Sequence, residues 1–407
     1  MNKAKIINDP VYGFIKIPTP LLYDLIAHPF FQRLRRIRQL GLAEFVYPGA
    51  IHTRFHHALG AMHLMGVTLE TLRTKHIDIS PQEMEAAQIA ILLHDIGHGP
   101  MSHALEYSLL DNIDHEQISL LFMKALNQEF SQALSLAIAM FEGKYHRKFF
   151  QQLISSQLDI DRMDYLQRDC FFTGVSEGAI GADRIIKMLT VANDELVVEE
   201  KGIYSIENFL TARRLMYWQV YLHKTNLCAD KMLTATLARL RQLLKQNIEI
   251  EIPHALEPFL KNIHSQNDFT QNPQLLQHFA NIDDTDIWQG LKMWQHQKQD
   301  AVLATLAKRI LERKLYSTFI SAEKPEKDYI KSIKKEIISK FGIRKEDIDF
   351  FILQGSISNE AYLAKKDTIN IINKKGQIQD IAQASDLPNI KALRKIVKKY
   401  YLCYINY

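Results

Sequence analysis

From residue 20 to about residue 250 the apolar positions recur three and four apart, with short polar turns between the runs, a pattern that predicts packed helices with few strands. The clearest helix is expected over 80–95. Ser80 can cap it, Pro81 suits a first turn that needs no N–H donor, and Glu83 completes an S-x-x-E capping box ahead of the apolar positions Met84, Ala87, Ile91 and Leu92. Gly97-His98-Gly99-Pro100 should stop it. Residues 195–207, ELVVEEKGIYSIE, depart from the helical period, and Lys201-Gly202 between β-branched runs predicts a small hairpin there.

Beyond about residue 310 the expected order is strand, helix, strand, strand, helix: KLYSTFI, KDYIKSIKKEIISKF, FFILQ, TINIIN with a turn at Lys375-Gly376, and IKALRKIVKKYYL. The predicted fold class is therefore mostly α, a multi-helix core over 1–310 with a small β-hairpin, followed by a smaller basic α+β lobe over 311–407.

With 47% apolar and 24% charged residues, the 407-residue chain can bury a sizeable core and lacks the composition of disorder. Its net charge of +4 is unevenly spread, −5 up to residue 300 and +9 beyond it, so weak nucleic-acid binding would belong to the tail. Cys170, Cys228 and Cys403 form neither a disulfide framework nor a CxxC metal motif, and a reducing, cytoplasmic setting is expected. The start MNKAKIINDPVYGF lacks a hydrophobic signal core and no apolar run reaches 18 residues, so neither secretion nor membrane insertion is expected.

Histidine changes the picture. Nine of the sixteen lie between His52 and His115, among them His57 in HTRFHHALG and His94, next to Asp95, in ILLHDIGHG. With Asp161 in LDIDRMDY they make a nitrogen and oxygen donor set without sulfur, which suits one divalent ion; Mn, Fe, Ni, Zn and Mg are all compatible. His94 and Asp95 fall where a capped helix meets a glycine break, His57 on an earlier helix and Asp161 on a later one, so the ion would cross-link a bundle.

Taken with INDPVYGFI, FQRLRRIRQLG, FVYPGAIHTRFHHALG, LLHDIGHGPMSH, HEQ, DIDRMDYLQRDC and YLHK, in that order over roughly residues 5–230, these motifs resemble the HD-domain metal-dependent phosphohydrolases. The likeness is greatest to their SAM and HD domain deoxynucleoside triphosphate triphosphohydrolase branch. The resemblance implies an HD-domain helical core with His57, His94, Asp95 and Asp161 as metal ligands. It implies His103 as proton donor beside the scissile bond, Glu106 three residues on as its orienting partner, and His98, His115 and Glu116 as phosphate binders or ligands of a second cation. Arg54, Arg162 and Arg213 would hold the triphosphate. Gln39 and Leu40 would lie against the deoxyribose, Tyr165 against its ring, Asp169 on the 3′ hydroxyl, and Tyr217 and Tyr221 on the base side. An apolar Leu40 facing a 2′ hydroxyl would disfavour ribonucleotides.

The activity so implied is hydrolysis of dNTP at the α-phosphate to deoxynucleoside and tripolyphosphate. Two rivals remain open: another HD activity, on a nucleoside monophosphate or a phosphodiester, and a nucleic-acid-binding protein with a vestigial site. The resemblance also implies a homo-oligomer, a dimer or tetramer, and a nucleotide effector. Ala27 stands where the relatives' guanine-reading regulatory site has an acid, although Lys5, Asn8, Gln32 and Arg35 are kept, so activation by guanine nucleotides of the same kind is not expected. Because the motifs begin within the first ten residues, neither is the relatives' N-terminal interaction domain.

Overall fold

Helix Pro81–Leu93 forms as its sequence predicts: Ser80 Oγ accepts the Glu83 N–H at 3.2 Å and the Glu83 carboxylate accepts the Ser80 N–H at 2.8 Å. In the computed structural model, which describes residues 5–110, 112–359, 368–387 and 397–406, that helix packs between helices Arg54–Thr74 and Ser135–Phe141. Its second half, Ala86 to Leu93, is buried on every face, so the stripe read from the sequence underestimates the burial. The side chains of His103, Tyr107 and Asn359 lie outside the described set.

Helix Ile160–Thr173 crosses helix Arg54–Thr74 at Gly60. A Cβ at Gly60 would meet Asp164 Oδ1 at 2.0 Å and Arg168 Nη2 at 2.1 Å, so only glycine permits this approach. Gly60 lies three residues after His57 and hence on its face of the helix, which places Asp164 beside the His57 ring.

Among the described residues, nine strands form three small sheets around this mostly helical core. β1 (Lys5–Asp9) and β2 (Gly13–Ile17) make an N-terminal hairpin, in which Asp9 Oδ1 accepts the N–H groups of Val11 and Tyr12, both at 3.0 Å. The expected central hairpin exists but turns earlier than predicted. β3 (Leu189–Ala192) and β4 (Glu195–Glu199) turn at Asn193-Asp194, whose φ values of +53° and +58° suit residues that tolerate the left-handed region. Lys201-Gly202 instead belongs to a 3-10 turn that leads into helix Ile203–Met216.

After residue 310 the structure follows β5 (Ser317–Ser321), helix Lys327–Phe341, β6 (Ile352–Asn359), β7 (Asn370–Ile372) and β8 (Ile378–Asp380). The terminal helix expected over 390–402 is a correction. Residues 388–396 lie outside the described set, and from Val397 to Tyr404 the chain is strand β9. β9 runs antiparallel between β5 and β6, and the two ladders, with Leu402 and Cys403 buried, override a helix-compatible lysine pattern. β7 pairs in parallel with β4, Val198 opposite Ile371, so the later strands extend a sheet that begins in the core.

Candidate metal and substrate site

His57 Nε2, His94 Nε2 and an Asp161 carboxylate oxygen all lie within 4.8 Å of one another, the spread of donors around one small cation. Each ring is locked from behind. His57 Nδ1 is 2.7 Å from Asp164 Oδ2, and His94 Nδ1 is 2.6 Å from the Ile91 carbonyl, so both distal nitrogens are assigned as donors and both Nε2 atoms turn toward the shared point. Asp161 Oδ1 stands 3.1 Å from His57 Nε2 and 3.4 Å from His94 Nε2.

Asp95 connects this trio to a second one. Its Oδ1 is 3.4 Å from His94 Nε2 and also 3.4 Å from His98 Nδ1, while Asp95, His98 and His115 form another compact donor group. The rings of His98 and His115 are 3.8 Å apart. Glu106 Oε1 accepts from both the backbone N–H and Nδ1 of His115, at 2.9 and 2.6 Å, so its carboxylate orients His115. The side chain of His103, the expected partner of Glu106, lies outside the described residues.

The charges suit a cation. Burial opposes charge on His57, but the hydrogen bonds it donates to Asp161 and Asp164 outweigh it and raise the ring to about 10. His94 also moves up, and burial of Asp95 and Asp161 is more than offset by the adjacent imidazoles, with Arg54 assisting at Asp95. The carboxylates are thus held ionised by positive charge at the cluster's centre, which a divalent ion would supply in place of two ring protons.

Behind these donors lies a relay that the motif reading missed. Arg168 donates to Asp164 Oδ1 and Oδ2, each at 3.0 Å, and to Asp9 Oδ2 at 2.7 Å, linking the His57 support to the β1–β2 turn. The available signal was the spacing on one helix, with Arg168 four residues after Asp164. Arg33 was missed as well. Fully buried and lowered to about 10 by that burial, it donates to the carbonyls of Ile96 and His98 at 2.7 and 2.9 Å and so clamps the turn after Asp95. Gly97 in that turn packs so closely that a Cβ would meet Ser119 N at 2.3 Å.

A cleft of about 390 Å³ opens over the two donor groups. The segment ahead of helix Arg54–Thr74 gives it Gln39 and Leu40, and that helix gives Arg54, whose guanidinium pairs with Asp95 and donates to Ser102 Oγ at 2.9 Å. Ser102 and its neighbour Met101 both adopt positive φ, +50° and +56°, in a turn held by Asp284, which accepts the Met101 N–H at 2.7 Å and the Arg38 N–H at 2.8 Å. Asp95, His98, His115 and Glu116 also line the cleft.

Helix Ile160–Thr173 contributes Asp161, Arg162, Tyr165 and Asp169. Arg162 Nη1 bonds Asp159, which caps this helix, while Asp169 accepts from His52 at 2.7 Å and from Tyr221 Oη at 2.8 Å. Tyr217 and Tyr221 sit on one π-helical turn at the end of helix Ile203–Met216, their ring centroids 5.1 Å apart. Arg213 is set back from the lining, buried, with Nη1 donating to Gln157 at 3.0 Å. Asn226 and Asp230, which the motif reading did not single out, complete the wall from helix Lys224–Lys245.

Comparisons with known proteins identify the family. Residues 54–169 match the HD domain and residues 180–252 the HD associated region. An uncharacterized protein of Bacillus subtilis is 30% identical over 98% of this chain and 92% of its own length. The human deoxynucleoside triphosphate triphosphohydrolase is 29% identical over 58% of this chain, a match that spans 44% of the human protein. A crystal structure of a phosphohydrolase from Bacteroides thetaiotaomicron superposes with a TM-score of 0.95 at 51% identity, over 99% of this chain and all of that one.

Proposed function

This chain belongs to the HD-domain phosphohydrolases, and from that premise we propose that it hydrolyses deoxynucleoside triphosphates at the α-phosphate, releasing deoxynucleoside and tripolyphosphate. The observation that carries the proposal is the His57, His94 and Asp161 trio lying beneath one cleft that also holds guanidinium groups, tyrosine rings and the apolar Leu40. A volume of about 390 Å³ falls in the range of small-molecule sites.

His57, His94, Asp161 and the adjoining Asp95 would hold a divalent ion. Bound there, such an ion lowers the pKa of a water and neutralises charge on phosphoryl oxygens. The protein's own groups do the remaining work. Asp164 keeps the His57 Nε2 lone pair directed at the donor point. Arg54 and Arg162 hold phosphate oxygens by charge-assisted hydrogen bonds, and His98 with the Glu106-oriented His115 extends that grip along the chain of phosphates. Leu40 and Tyr165 pack on the sugar, and Tyr217 and Tyr221 wall the base. Proton delivery to the departing 5′ oxygen is assigned to His103. A dimer or tetramer and a nucleotide effector go with the same proposal, and light scattering with and without added nucleotide tests both.

The deciding experiment incubates metal-loaded protein with each of the four dNTPs and four NTPs and separates the products chromatographically. Deoxynucleoside with tripolyphosphate in equal amounts is the expected result. Orthophosphate released from nucleoside monophosphates, with dNTPs untouched, would overturn it in favour of a monophosphatase.

A further inference from the structure

Part of the cleft wall carries hydrogen-bond acceptors without a partner among the described residues. Asn226 and Asp230 lie four residues apart and hence on one face of helix Lys224–Lys245, and both line the cleft. Asn226 is 5% exposed, and its Oδ1 has no partner among the described residues; neither has Asp230 Oδ1. Two buried oxygens without donors cost free energy unless a bound molecule supplies N–H or O–H groups. Elsewhere in the cleft the Asp169 carboxylate oxygens already accept from His52 and Tyr221, and the carboxylates of Asp95 and Asp161 belong to the donor cluster.

Burial raises the Asp230 carboxyl to about 7, against the pull of Lys231, so above neutral pH it is ionised and only accepts, while below it the neutral form also offers an O–H. One turn further along the same helix, Thr234 Oγ1 is 3.3 Å from the Ala104 carbonyl, which fixes this face against the turn that begins with the strained Met101 and Ser102. That contact holds the wall in place, and with Asp230 ionised its unpartnered oxygens, Asn226 Oδ1 and Asp230 Oδ1, are acceptors.

We propose that Asn226 and Asp230 read hydrogen-bond donors on the nucleobase and favour bases that carry an exocyclic amino group. This inference rests on the nucleotide reading of the cleft given above. Guanine, adenine and cytosine present amino donors; thymine presents carbonyl oxygens flanking a single imino N–H. Against ionised Asp230, thymine therefore sets an oxygen opposite an acceptor and leaves one of the buried atoms unsatisfied. Phosphate, sugar and metal contacts are common to all four nucleotides, so the effect is confined to discrimination among bases.

The test, run at about pH 8.5 so that Asp230 is ionised, compares wild type with Asp230→Asn and Asn226→Leu, measuring kcat/KM for dGTP, dATP, dCTP and dTTP and, by calorimetry, the affinity of each nucleotide for the chain. Wild type should favour each amino-bearing base over dTTP by about 5-fold to 100-fold, the range for one or two lost hydrogen bonds. Asp230→Asn, which puts an amide donor on the wall, should shrink that ratio chiefly through KM and through the calorimetric affinity, with kcat ratios little changed. An equal loss for all four nucleotides, or unaltered ratios in both variants, would overturn the inference. If no dNTP is hydrolysed, the triphosphohydrolase reading fails on its own. The calorimetric ratios still decide the present one, and absence of nucleotide binding counts against it.

Discussion

Asp164 Oδ2 lies 2.7 Å from His57 Nδ1, and that contact decides which atom of His57 faces His94 and Asp161. Neither residue is more than marginally exposed, and Arg168 completes the pair from the other side, so the ring has no alternative orientation without breaking a buried charge network.

Replacement Asp164→Asn should therefore weaken metal binding by about 10-fold to 100-fold, the usual cost of losing a carboxylate behind a ligating histidine. Competition with a graded chelator, read by elemental analysis on protein shown to be folded by its thermal melt, measures this. Unchanged affinity in a folded variant would mean that the Asp164 contact does not govern the ligand.

Arg33→Met should remove donors from the carbonyls of Ile96 and His98 and leave them buried. A loss of about 2–4 kcal/mol is expected for two such groups. Urea denaturation gives the stability, and hydrogen exchange should show faster opening of the turn at 96–98 than of helix Pro81–Leu93. Uniform protection across both would contradict the clamp.

Glu83 predicts a pH effect outside the His57, His94 and Asp161 cluster. Burial pushes its carboxyl up, but the Ser80 N–H, Arg147, Tyr145 and the Ser80 hydroxyl together hold it at about 2. A folded-state pKa below the unfolded value gives stability that is present above about pH 4.5 and lost as pH falls toward 2. The contribution is on the order of 2–3 kcal/mol. Urea midpoints at pH 5.5 and pH 3.5 should converge between wild type and Glu83→Gln as the pH falls; a constant gap would count against this assignment.

Leu40→Ala should narrow the preference for deoxyribonucleotides. A 2′ hydroxyl placed against this side chain loses water without gaining a partner, which costs about 1–3 kcal/mol, or roughly 5-fold to 150-fold in kcat/KM. The ratio of dGTP to GTP turnover in wild type and variant checks it. A ratio near one in wild type, or a large ratio that survives the substitution, would remove Leu40 from the sugar contact.

Much of this is legible in the sequence itself. The Ser80-Glu83 box, the glycine stop after Asp95 and the nitrogen and oxygen donors of His57, His94 and Asp161 depend on local spacing and residue chemistry, and they appear where the sequence places them. What escaped depends on long-range partners. Arg33 and Arg168 look like surface cations until the carbonyls and carboxylates that bury them are known. The β1–β2 hairpin alternates weakly because most of the β1 side chains remain accessible. The strand Val397–Tyr404 was misread as helix because its stability comes from two distant neighbours, β5 and β6, while its lysine spacing fits a helix equally well.

The most direct measurement of the central claim is a paired titration of metal content and tripolyphosphate release from dNTP, for wild type and Asp161→Ala. Wild type stripped of metal should be inactive and regain activity in proportion to bound divalent ion. Asp161→Ala, which removes one donor and one compensating charge, should remain folded while losing both metal and turnover. Full turnover in metal-free wild type, or normal metal content and turnover in Asp161→Ala, would contradict the account.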